Sequence, residues 1–73
     1  MRQWWTFTFG IGSPYKDYVV RILGEPEQAR EAMVAMHGTK WCGQYPEAEG
    51  DRDIEKYHYK TLFVLALEED GSW

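Results

Sequence analysis

Two runs of strand character stand close together near the start of this chain, and the connection between them leaves room for little besides a turn back. The first is "QWWTFTF", Gln3 to Phe9, where Trp5, Phe7 and Phe9 alternate with Trp4, Thr6 and Thr8. A period of two puts the first set on one face of a pleated strand, the face that looks into a core. The second run is "YVVRIL", Tyr18 to Leu23, rich in the β-branched residues that suit a pleated surface. Tyr18, Val20 and Ile22 share one of its faces; Val19, Arg21 and Leu23 share the other. A connection of about eight residues makes an antiparallel hairpin the easiest pairing. Gly10 and Gly12 end the first strand, because glycine permits positive φ, and Pro14 fixes the next turn. The loop is longer than a minimal hairpin requires.

The segment "GEPEQAREAMVAMHG" predicts a helix. Pro26 suits a first turn, Glu25 and Glu27 complement the positive end of the helix dipole, and Gly38 supplies the stop. Ala29, Ala32, Met33 and Met36 recur at the spacing of one apolar stripe, which turns Gln28, Arg30 and Glu31 outward. "KWCGQY", Lys40 to Tyr45, reads as a short third strand. Pro46 to Lys56 is polar and acidic, the pattern of an exposed loop or a short frayed helix. In the last strand, within "YHYKTLFVLALE", apolar residues face both ways from Leu62 to Leu67, as in a strand covered on both sides, by the helix on one and by a second subunit on the other. The expected fold is therefore α+β: a small, mostly antiparallel sheet of three or four strands with one helix packed on it, in the order β-β-α-β-β.

With 73 residues the chain makes a single domain, 1–73. A domain of this size buries only about 60 per cent of its unfolded surface, so it gains from a staple or from association with copies of itself. One cysteine, Cys42, excludes an internal disulfide and fits a reducing compartment. Aromatic residues make up 16 per cent of the chain, more than one small core accommodates, which points to a homo-oligomer or a ligand pocket. The net charge of −4, from 12 acidic and 8 basic side chains, argues against nucleic acid as the main partner. The N-terminus lacks the pattern of a signal peptide, and "LFVLAL" is far shorter than the roughly 20 residues that span a bilayer. No membrane contact and a cytoplasmic location are expected.

Two clusters carry candidate chemistry. Gly10, Gly12, Ser13, Tyr15 and Lys16 lie within one loop, where amides freed by glycine can line an anion-binding concavity and Lys16 can neutralise a phosphate. The plainer alternative is a hairpin loop whose glycines only supply unusual dihedrals. It is not a P-loop, since the spacing differs and a strand follows. In "GTKWCGQY", Trp41 and Tyr45 can stack on a flat base, Gln44 can read its edge and Lys40 can hold a phosphate, whereas Trp41 can equally be a core ring over the helix end. Arg21 and Arg30 can grip phosphate through the guanidinium fork, or stand solvated or paired with a glutamate such as Glu27 or Glu31. His37, Cys42 and His58 match no metal spacing and no nucleophile signature. No cofactor, metal or catalytic role is expected, and the chain does not read as an enzyme.

The stretches "FTFGIG" (Phe7 to Gly12), "YVVRILG" (Tyr18 to Gly24), "QAREAM" (Gln28 to Met33) and "GTKWCGQY" (Gly38 to Tyr45) resemble a group of short phage-encoded proteins. They cover about the first two-thirds of the chain; beyond Tyr45 it departs from the group's pattern, which leaves the tail's role open. The resemblance implies a non-catalytic, often oligomeric protein in the infected cell, of the kind that includes sponges for nucleotide immune signals: cyclic oligonucleotides or ADP-ribose derivatives. In this chain the implied ligand groups are the amides at Gly10, Gly12 and Ser13, the cations Lys16, Arg30 and Lys40, and the rings Tyr15, Trp41 and Tyr45, in a site that two subunits can share. The alternative is an inhibitor of a host defence or replication complex that uses the acids of Glu47 to Glu55 against a basic channel.

Overall fold

The computed structural model describes residues 2–69. In chain order its elements are β1 (Gln3–Thr8), β2 (Tyr18–Gly24), α1 (Pro26–His37), β3 (Gly43–Tyr45), α2 (Glu47–Tyr57) and β4 (Lys60–Ala66). The strands form one four-stranded sheet in the order β3-β1-β2-β4. β1 lies antiparallel to both β2 and β3, while β4 lies parallel to β2. The fold is α+β with a mostly antiparallel sheet, as the sequence predicts, but two helices take part.

Alternation in β1 and β2 sorts the core. Trp5 pairs with Ile22 and Phe7 with Val20, so these side chains share a face. Phe7, Phe9, Val20 and Ile22 are buried there beneath Ala29, Ala32 and Met33 of α1, with Leu67 closing the far end. The α1 stripe is the predicted one. Pro26 opens the helix, the Glu25 amide donates to Gln28 Oε1 at 3.4 Å, and Gly38 closes it at φ 63°, a conformation that favours glycine.

The opposite face belongs to α2, where a loop or frayed helix is expected from sequence. Thr6 pairs with Arg21 on this face; α2 lies over Thr6 and reaches Arg21 through Asp51. Gly50 sits so close over Thr6 that a Cβ there would collide with the Thr6 hydroxyl and lie 2.5 Å from its Cβ. Polar links fasten the helix. Arg21 donates to Asp51 at 2.6 Å, the Glu47 amide donates to Gln3 Oε1 at 2.9 Å, and the Trp4 amide donates to Glu47 Oε1 at 3.1 Å. Arg21 thus pairs with an aspartate distant in sequence and not with Glu27 or Glu31.

The last strand differs from expectation. It is an edge strand, and its residues are exposed or half-buried, with Val64 at 60 per cent exposure. Leu62 is the extra residue of a bulge, since Val19 pairs with Thr61 and Val20 with Phe63. Among the described residues the apolar run thus has a bulge in it, lies at an edge, and leaves Val64 and Ala66 uncovered.

Close packing of α2 leaves Thr6 Oγ1 fully buried and without a hydrogen bond. A buried hydroxyl with no partner destabilises relative to a methyl of the same shape. Thr6→Val is expected to raise stability by about 1 kcal/mol, a rise in Tm of about 4–8 °C for a domain of this size. A calorimetric melt showing a lower Tm would mean that the hydroxyl is satisfied in solution.

Candidate functional site

Chain direction brings several candidate residues to one end of the sheet. β1 runs towards that end, and the loop that starts at Gly10 turns the chain back into β2. β3, antiparallel to β1, begins beside it, with Gly43 opposite Thr8. α1 ends there too, so the connection from Gly38 to Cys42 must pass the mouth of the loop. The Cys42 amide donates to Thr8 O at 2.7 Å and holds this connection against β1. Regular β3 spans only Gly43–Tyr45, which leaves Lys40 and Trp41 outside the expected strand.

Between the two segments opens a cleft of ≈ 450 Å³, lined by Gly10, Gly12, Ser13, Pro14, Lys40, Trp41 and Cys42. A second hollow of ≈ 210 Å³ shares Ser13, Pro14 and Lys40 with it and adds Phe9, Tyr15 and His37. Rings dominate its deeper side. Phe9 lies 5.4 Å from both Tyr15 and His37, and His37 stacks at 5.9 Å on Phe63. Trp41 does two jobs: its ring meets Phe7 edge-on at 5.2 Å while lining the cleft, and its Nε1 donates to Gly38 O at 3.0 Å.

The glycines of the loop act differently from expectation. Among the described residues only His58 and Gly38 have positive φ, so neither Gly10 nor Gly12 adopts a glycine-only backbone. The loop is built from turns and not from an alternation of left- and right-handed residues. The Ser13 amide donates to Gly10 O at 2.9 Å, and Ser13 Oγ accepts from the Tyr15 amide at 3.1 Å. A Cβ on Gly10 or Gly12 would meet nothing within 4 Å. Neither dihedral strain nor crowding calls for glycine here. What the missing side chains do is leave the cleft wall bare.

Four predicted site residues lie elsewhere. Lys16 is exposed and lines neither hollow; its amide donates to Ser13 O at 3.2 Å. Arg30 lies on the outward face of α1, in a separate groove with Glu31, Val34, Ala35 and Thr39. Gln44 spends its amide inside the fold, donating from Nε2 to Pro26 O at 2.9 Å. Tyr45 pairs with Thr6 and so belongs to the α2 face. Sequence reasoning missed Phe9, Pro14, His37 and Cys42 as cleft residues. The available signal was topological: the ends of β1 and α1 fall beside one another once the hairpin is drawn.

Among the described residues, one formally charged side chain lines the two hollows. The C-terminus of α1 carries a partial negative charge, which opposes an anion in the cleft. Lys40 is the cation on the wall of both hollows. Among the described residues no three His, Cys, Asp or Glu side chains gather as metal ligands would, and no helix is long and apolar enough to cross a membrane. Compared with family models, with curated proteins and with solved structures, the chain finds no match.

Proposed function

We propose that the double cleft binds a flat, negatively charged small molecule of the nucleotide type and holds it without cleaving it. The observation that carries this reading is the convergence of two segments far apart in sequence. The bare Gly10–Pro14 loop and the Lys40–Trp41 connection face each other across one opening. A planar base has Trp41 and the Tyr15–His37 rings to stack against, at about 1–3 kcal/mol per base. Its phosphate has Lys40. In keeping with the phage-encoded proteins that the sequence resembles, the physiological role is sequestration of a nucleotide-derived immune signal, a cyclic oligonucleotide or an ADP-ribose derivative.

The test is a thermal-shift and calorimetric screen against cyclic dinucleotides, cyclic ADP-ribose isomers and linear nucleotides, with recovery of the ligand after heating. A binder at a thousandfold excess over its Kd adds about 4 kcal/mol of apparent stability, and intact ligand should be recovered. Lys40→Ala is expected to weaken binding at least tenfold, because no dipole replaces that charge. Gly12→Leu should block the cleft while leaving the unliganded Tm nearly unchanged, since a Cβ there meets open space. Arg30→Ala should change nothing. Absence of any shift, preference for a neutral or cationic aromatic, or conversion of the ligand would each sink the reading.

The rival reading, an acidic protein inhibitor, draws on α2, which carries Glu47, Glu49, Asp51, Asp53 and Glu55. Two of these acids are tied into the fold: Asp51 to Arg21 and Glu47 to the Trp4 amide. Charge reversal at Glu49 and Glu55 tests that surface without disturbing those links.

A further inference from the structure

The two edges of the sheet are not alike. β3 is three residues long, which is one way in which proteins blunt an edge. β4 is seven residues long and apolar along its middle, "LFVLA" after Lys60 and Thr61, with no strand on its outer side among the described residues. Such an edge offers a row of unpaired amides and carbonyls to another strand.

Backbone parity identifies which groups are free. The Leu67 amide donates to Leu23 O at 2.9 Å, towards β2. Alternation along the strand sends the amides of Leu65 and Phe63 the same way, leaving those of Val64 and Ala66 aimed outward. The side chain at Val64 matches its backbone: it is among the largest exposed hydrophobic surfaces of the fold, on the face shared with Arg21.

Charge at the strand ends selects both the partner and its direction. Lys60 begins the strand, and Glu68 and Glu69 follow its end. We propose that β4 pairs antiparallel with β4 of a second copy of this chain, about a two-fold axis through Val64, to give one continuous eight-stranded sheet. In that register the two Val64 residues exchange both of their outward backbone hydrogen bonds, and the Lys60 end of each strand lies alongside the Glu68–Glu69 end of the other, although the bulge at Leu62 turns Lys60 to the opposite face from Val64. A parallel pairing would set lysine against lysine and glutamate against glutamate. A two-fold isologous contact of this kind closes on itself and protects the edge from open-ended association. It leaves the cleft free, because Gly10, Lys40 and Trp41 belong to the loop and connection beside β1 and β3.

Sedimentation equilibrium of the full chain across a wide concentration range tests the dimer. The mass should rise from 8.6 kDa towards twice that value. Val64→Lys, at an exposed position, should leave the circular dichroism unchanged and hold the chain monomeric throughout. Lys60→Glu and Glu68→Lys should each weaken self-association, and mixing the two variants should restore dimers, since the facing strand ends are then opposite in charge. A wild-type chain that stays at 8.6 kDa overturns the proposal. So does a dimer indifferent to Val64→Lys, or one in which the mixed charge variants fail to recover. None of these outcomes depends on whether the cleft binds a nucleotide.

Discussion

Gly50→Ala should loosen α2 from the sheet and lower Tm by about 10–20 °C, the reverse of what the substitution does in an ordinary helix. At an exposed helical site alanine is favoured over glycine by about 1 kcal/mol. Here the added Cβ would strike the Thr6 hydroxyl and come within 2.5 Å of Thr6 Cβ. Thr6 cannot yield, because it is fully buried on β1, which is paired on both sides by β2 and β3. The helix must therefore retreat. Retreat stretches the Arg21–Asp51 pair and the two hydrogen bonds joining Glu47 to Gln3 and Trp4. Overpacking of a tight contact costs about 1–3 kcal/mol, and loss of these links brings the total to the upper part of that range. Urea melts of Gly50→Ala, of Thr6→Ala and of the double variant would check it. The double variant should be only modestly more stable than the sum of the two single losses, since Thr6→Ala removes the hydroxyl but keeps the Cβ that lies 2.5 Å from the new methyl. A Gly50→Ala protein as stable as wild type would show that α2 does not lie on Thr6.

The same glycine explains why α2 was hard to read from sequence. Periodicity finds helices through apolar side chains at three- and four-residue spacing, and α2 buries one residue, Gly50, which has none. It docks through a missing side chain and a few polar links to residues far away in sequence. By contrast, β1, β2 and α1 declare themselves, because Phe7, Val20, Ile22, Ala29 and Met33 fill the core at strand and helix periods. The last strand misled for a different reason. An apolar run looks alike whether it is central or at an edge, and the bulge at Leu62 shifts the faces midway.

Legibility of the candidate site divides along similar lines. That the loop after β1 and the segment after α1 would meet was readable from the hairpin and the helix length. How the loop would meet it was not. Gly10 and Gly12 suggest positive φ, yet neither has it, and both line the cleft as bare backbone. Gln44 and Tyr45 could not be placed because a strand's two faces are fixed only by register. Gln44 pairs with Phe7 and Tyr45 with Thr6, which sends them to opposite sides. Arg30 and Lys16 are polar residues near the right segments that the fold turns away.

Phe7→Ala should cost the chain much of its stability and lower Tm by at least about 12 °C. Phe7 is fully buried on β1, beside Val20 and under α1, and it is the ring on which Trp41 rests edge-on at 5.2 Å. Truncating a buried phenylalanine costs about 3–5 kcal/mol, part of it transfer and part the cavity left behind. At roughly 0.05–0.15 kcal/mol per residue, a chain of this length has about 4–11 kcal/mol in all, so the loss takes much of the margin. Phe7→Leu leaves a smaller cavity than alanine does and should cost less than Phe7→Ala. That variant separates stability from function: it stays folded, but Trp41 loses the edge-to-face partner that sets its position on the cleft wall. Its affinity for any cleft ligand should therefore fall several-fold, whereas Ile22→Val, in the same core and away from Trp41, should lower Tm slightly and leave affinity alone. Urea denaturation followed by tryptophan fluorescence, with calorimetric titration of the folded variants, distinguishes the two. Equal affinities for Phe7→Leu and Ile22→Val would show that the cleft does not depend on the core ring behind it.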